Sequence, residues 1–171
     1  MQETVYKLAK QKIPQNMELH LIGHLQSNKI NKAISIFDVI QTVDSLSLAK
    51  KINIACQKIN KTQRIYIQIN SGNDPLKHGF HIDEAIDVAQ EINSLSNLLI
   101  EGVMMIPPFL DINDEYRSFF TTTKKIQLAI LKSGITSCIN LSMGMSRDYT
   151  LAIEEGATHI RIGTALFGER I

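Results

Sequence analysis

Strand-like and helix-like stretches alternate along this chain at intervals of about 25 residues, a rhythm that leaves few folds open. Strand readings fall on Glu18–Gly23, Val39–Val43, Arg64–Asn70, Leu98–Met105, Cys138–Ser142 and a final segment beginning at His159. Helix readings fall on Met1–Lys12, Lys29–Phe37, the stretch from Asp44 or Ser45 through Ile59, His81–Leu95, Asp114–Ser133 and Ser146–Glu155. Ser27 or Asn28 can cap the second of these, and Ser146 the last. Gly134 and Gly156 stand where helices should stop, and Pro107-Pro108 cannot continue a ladder. Repeated strand–helix–strand units imply a parallel sheet with right-handed crossovers.

An open doubly wound sheet and a closed β/α barrel both satisfy this pattern. No Gly-x-Gly-x-x-Gly follows a strand, which counts against a dinucleotide-binding sheet. The end of the chain favours the barrel. In His159-Ile160-Arg161-Ile162-Gly163-Thr164, period-2 parity puts His159, Arg161 and Gly163 on one face and the isoleucines on the other. An arginine on the inner face of an apolar strand is costly unless something pairs it. The isoleucines would then be buried by covering helices. Upstream, Asn140-Leu141-Ser142-Met143-Gly144-Met145-Ser146 is a second strand end rich in small residues. Two such ends side by side make a phosphate cup, in the place that β/α barrels use after their last strands. A full barrel takes about 250 residues. Only six of eight βα units are legible in 171 residues, so the first two strands and a helix are expected to be missing from the front. One partial barrel domain, 1–171, is the predicted organisation.

A formal net charge of +1 gives no bulk electrostatic case for nucleic acid or an anionic membrane surface. No apolar run approaches the ~18 residues of a membrane span, and no signal peptide precedes the first helix. A cytoplasmic protein is therefore expected. Cys56 and Cys138 read as buried, reduced thiols. His20, His24, Asp44 and Glu101 scatter over separate strand ends without metal-ligand order, so no metal is predicted.

Four motifs are specific enough to suggest a family: Leu21-Ile22-Gly23-His24-Leu25-Gln26-Ser27-Asn28-Lys29, Glu101-Gly102-Val103-Met104-Met105-Ile106, Leu141-Ser142-Met143-Gly144-Met145-Ser146-Arg147-Asp148 and Arg161-Ile162-Gly163-Thr164-Ala165-Leu166-Phe167-Gly168. In order and spacing they resemble the YggS/PROSC family of pyridoxal-5′-phosphate-binding proteins of vitamin B6 homeostasis. The resemblance implies an alanine-racemase-type barrel without the racemase's second domain, monomeric and without enzymatic activity. It implies that Ser142 hydrogen-bonds the cofactor phosphate. Backbone N–H groups around Met143, Gly163 and Thr164, with the Thr164 hydroxyl, would complete the cup. Arg161 would face the pyridine nitrogen. A guanidinium cannot accept a proton, so that ring would stay unprotonated and a poor electron sink, as suits a carrier. Pyridoxal-phosphate-dependent apoenzymes are the implied recipients.

The family's Schiff-base lysine, in an Ala-Val-Ser-Lys-like motif, and its Phe-Gly-Glu-Asn motif have no counterpart here. Lys7, Lys10, Lys29 and Lys77 are amines at other positions. The expectation is an N-terminally truncated member that holds the cofactor by its phosphate, with an open barrel side through which copies could self-associate. Three other readings stand beside it: a racemase- or decarboxylase-like enzyme, a sugar-phosphate isomerase using Glu101 as base, and a non-functional fragment. Arg161 could instead be a structural arginine paired with a carboxylate. His24 is either a cofactor neighbour or a loop histidine, and His78, His81 and Lys77 read as surface groups. Met104 and Met105 read as apolar filler.

Overall fold

The computed structural model describes residues 14, 16–72, 77–108 and 114–168. The helix expected over Met1–Lys12, with Lys7 and Lys10, lies outside the described residues. Six parallel strands form one sheet in chain order: β1 (His20–Leu21), β2 (Val39–Val43), β3 (Gln63–Ile69), β4 (Leu98–Met105), β5 (Asn140–Met145) and β6 (His159–Arg161). Between and after them run α1 (Ile30–Ile36), α2 (Leu46–Lys58), α3 (Ala85–Asn93), α4 (Asp114–Lys132), α5 (Tyr149–Glu154) and α6 (Thr164–Phe167). The sheet curls: the His20 ring on β1 comes within 5.8 Å of the His159 ring on β6, although those edge strands do not pair with each other. This is an incomplete β/α barrel, as expected.

Period-2 patterning divides each strand between two environments. Ile65, Ile67 and Ile69 of β3 pack outward with Ile40, Ile100, Val103, Leu141 and Met143 against Ala49 and Ile52 of α2, Ala89 and Ile92 of α3 and Phe120 of α4. Arg64, Tyr66 and Gln68 alternate with them and face the barrel interior. There Tyr66 meets Val39 and Met104 in a small separate cluster. Cys56 and Cys138 are free and buried. Burial pushes the Cys138 thiol up to about 12, which leaves it unreactive.

Several boundaries move for identifiable reasons. β1 is shorter than Glu18–Gly23 because side chains replace ladder partners: the Leu19 N–H donates to the Asp38 carboxylate at 2.8 Å, and the Thr42 hydroxyl donates to the Gly23 carbonyl at 2.9 Å. β5 starts two residues later than Cys138. The Cys138 N–H is used in a turn to the Ile135 carbonyl, and its own carbonyl accepts from the Gln127 amide. Ser45 caps α2 by accepting from the Leu48 N–H at 3.2 Å, which settles the choice between Asp44 and Ser45. Neither Ser27 nor Asn28 caps the turn before α1. His81 is a surface residue as read, and it also caps the turn before α3: its ring accepts from the Asp83 N–H while its backbone N–H donates to Glu84. Ile160 is 38% exposed, so the outer face of β6 is not covered as the pattern implied.

Candidate functional site

The principal cavity, about 720 Å³, opens beside β6 where the sheet leaves its two edges unpaired. Arg161 projects into it from the inner face of β6. Its guanidinium donates to the Ser142 hydroxyl at 2.9 Å and to the Met105 carbonyl at 2.7 Å. Both acceptors are neutral. Burial lowers its pKa to about 10, and the negative charge of Asp148, which lines the same cavity, partly opposes that fall. The reading of Arg161 as a carboxylate-paired structural residue does not hold among the described residues.

This cation sets the direction of a hydrogen-bond chain. Arginine can only donate, so the Ser142 oxygen accepts from it and the serine proton goes to Gln41 Oε1 at 2.7 Å. The Gln41 amide nitrogen must then face His20, 2.7 Å from Nδ1, so that nitrogen accepts. Nε2 is then the donor of His20, directed to Glu18 at 3.4 Å. Glu18 in turn binds Arg64, which also holds Glu101 at 2.6 Å. That double acidic contact pushes the Arg64 pKa further up. His159 closes the interior beside this chain, its Nε2 3.5 Å from the Tyr66 hydroxyl. Burial is the main cause that lowers its pKa.

Around the turn after β6, Ser146 Oγ accepts from the backbone N–H of Gly163 at 3.2 Å and of Ala165 at 3.3 Å. With both lone pairs engaged, its hydroxyl proton is left as a donor. Ser146, Arg161, Gly163 and Thr164 all line the cavity. On its other side, the Tyr116 hydroxyl donates to Asp148, whose second oxygen accepts from the Met145 N–H.

Of the predicted site residues, the structure therefore brings Arg161, Gly163 and Thr164 together at the cavity. Ser142 and Met143 do not line it. Ser142 is fully buried with its hydroxyl shared by Gln41 and Arg161, and Met143 is fully buried in the helix-covered core. The two serines differ in setting. Ser146, read as a helix cap, reaches across to the Gly163 turn, while α5 begins only at Tyr149 after Asp148. Glu101 is tied to Arg64 and does not line the cavity, so the isomerase reading loses its base. Gln41, His20 and the Tyr116–Asp148 pair were not singled out as site residues. The signal for Gln41 was present: a glutamine sharing parity with Val39 in a strand whose remaining residues are three aliphatic side chains and a threonine.

Comparison with known proteins places this geometry. The alanine racemase N-terminal domain family matches residues 3–171. The pyridoxal phosphate homeostasis protein of Aquifex aeolicus is 35% identical over 155 residues, covering 91% of this chain and 68% of that one. The Synechocystis protein of the same name is 36% identical over 171 residues, covering 100% and 78%. Among solved structures, PipY of Synechococcus elongatus with pyridoxal phosphate bound superposes with a TM-score of 0.89 at 32% identity, covering 98% of this chain and 78% of PipY. The resemblance in the sequence motifs, the half-barrel and these matches agree: the chain belongs to the pyridoxal phosphate homeostasis protein family, built on the alanine racemase N-terminal domain.

Proposed function

We propose that this chain binds pyridoxal phosphate by its phosphate and ring nitrogen and serves as a non-catalytic carrier of it in vitamin B6 homeostasis. The observation that carries the reading is one cavity that joins a buried guanidinium, hydrogen-bonded to neutral acceptors, to a preset hydroxyl donor. Ser146, with its proton left over from the Gly163 and Ala165 contacts, and the Thr164 hydroxyl and backbone would hold the phosphate. Arg161 would face the ring nitrogen, positioned by Ser142 and the Met105 carbonyl. Ser142 thus acts through Arg161, and Gln41 acts through Ser142.

Bound pyridoxal phosphate supplies an electron-withdrawing ring whose strength depends on a proton at its nitrogen. Arg161 offers that nitrogen hydrogen bonds and cannot be driven to receive a proton from it, so it does not build the strong sink that racemisation needs. Supporting the carrier reading are the family's name and the PipY complex. Pyridoxal-phosphate-dependent apoenzymes are the recipients such a carrier would serve.

Titrating the purified chain with pyridoxal phosphate, and following its absorbance, tests this. Binding should be reversible by dialysis, compete with inorganic phosphate and weaken about tenfold or more in Ser146→Ala, as for loss of one charge-assisted hydrogen bond. No alanine racemisation should accompany it. Retention unaffected in both Ser146→Ala and Arg161→Met would overturn the assignment.

A further inference from the structure

A second group of side chains converges on the same end of the sheet, away from the Arg161 cavity. His24 follows β1, Asp44 follows β2, and His78 lies in the segment leading from β3 to α3. One ligand atom from each of the three, a ring nitrogen or a carboxylate oxygen, lies within 4.8 Å of the other two. His24 Nδ1 is 3.2 Å and His78 Nδ1 3.5 Å from the same Asp44 oxygen. The carboxylate is only 8% exposed, and the two imidazoles above it are 47% and 61% exposed. None of the three lines the cavity that holds Arg161.

One hydrogen bond, His24 Nδ1 to Asp44 at 3.2 Å, accounts for the first imidazole. It does not account for a second imidazole, His78, 3.5 Å from the same oxygen. A tetrahedral ion with bonds of about 2.0–2.2 Å to nitrogen and oxygen sets its ligand atoms about 3.3–3.5 Å apart, close to the two separations seen. The rings are stacked, 4.1 Å apart at 18°, and small rotations of each would aim a lone pair at a common point while keeping these separations. Their exposure leaves room for that rotation. Two imidazoles and one carboxylate make a donor set for a borderline divalent ion, with a fourth position for water.

We propose that His24, Asp44 and His78 form a binding site for a divalent transition-metal ion of the zinc type. The ion ties together the segments that follow three successive strands, β1, β2 and β3. Its probe is zinc itself, added to chelator-stripped, purified chain, with metal content measured after gel filtration. One zinc per chain should be retained, and zinc should raise the melting temperature. His24→Gln and His78→Gln change exposed side chains and should each weaken zinc binding at least tenfold and abolish the thermal shift, while pyridoxal phosphate titration stays as in the parent. Cobalt substitution should give the visible bands of nitrogen and oxygen coordination rather than thiolate charge transfer. Absence of retained zinc in the parent overturns the site, as does equal retention in both variants or a thiolate spectrum from Cys56 or Cys138.

Discussion

The two faces of the one sheet are built on opposite principles. Outward, Ile40, Ile65, Ile67, Ile100, Val103 and Leu141 meet helices through apolar contact alone, and no single neighbour dictates the chemistry of another. Inward, apolar packing shrinks to Val39, Tyr66 and Met104, and the rest is His20, Gln41, Arg64, Glu101, Ser142, His159 and Arg161. There each group's role follows from its neighbour's. Because Arg161 cannot accept, Ser142 must donate onward, Gln41 must turn its amide toward His20, and His20 must keep Nδ1 bare. A stable scaffold tolerates exchange among similar shapes, whereas a directed polar chain loses its sense if one member changes.

Substitutions on each face would break or sharpen this contrast. The largest loss is expected outside: Phe120 is fully buried on α4, and Phe120→Ala should destabilise the fold by about 3–5 kcal/mol in urea denaturation. The fraction that remains folded should bind pyridoxal phosphate as before. A selective loss of binding there would show that the faces are not independent.

Inside, Gln41→Leu keeps the volume but strands the Ser142 proton and the acceptor on His20. A cost of roughly 1–3 kcal/mol is expected, with weaker pyridoxal phosphate binding than the folded fraction accounts for. Unchanged affinity in this variant would remove Gln41 from the positioning of Arg161. The smallest effect is the pH dependence of His159. Its folded pKa lies below the ordinary 6.5, chiefly through burial. The unfolded chain therefore binds the proton more readily, and the stabilising contribution is complete above 6.5 and declines as the pH falls through the lowered value. Melting temperature measured against pH should show that decline, and His159→Gln should flatten it.

Much of this was legible along the chain. β2 and β4 have the predicted ends, and the inward parity of His159 and Arg161 is that of the structure. Errors gathered where side chains compete with the backbone. Asp38 and Thr42 shorten β1, Gln127 holds the Cys138 carbonyl, and Asp148 delays α5. The misreading of Ser146 as a helix cap, so close to Ser142, has the same origin. Both stand near a strand end in a motif of small residues, and only the approach of the Gly163 turn tells which one meets it.

Periodicity and punctuation alone determined a parallel β/α half-barrel, its helix-covered face and an arginine aimed inward near a glycine turn. These follow from local rules, since alternation of apolar and polar residues must be resolved within a few residues of chain. Tertiary structure alone decided that Ser142 accepts from Arg161, that Ser146 meets the Gly163 turn, and that His24 and His78 meet at the Asp44 carboxylate. Those contacts join residues far apart in sequence, and their hydrogen-bond directions exist only once the curled sheet has set the distances between them.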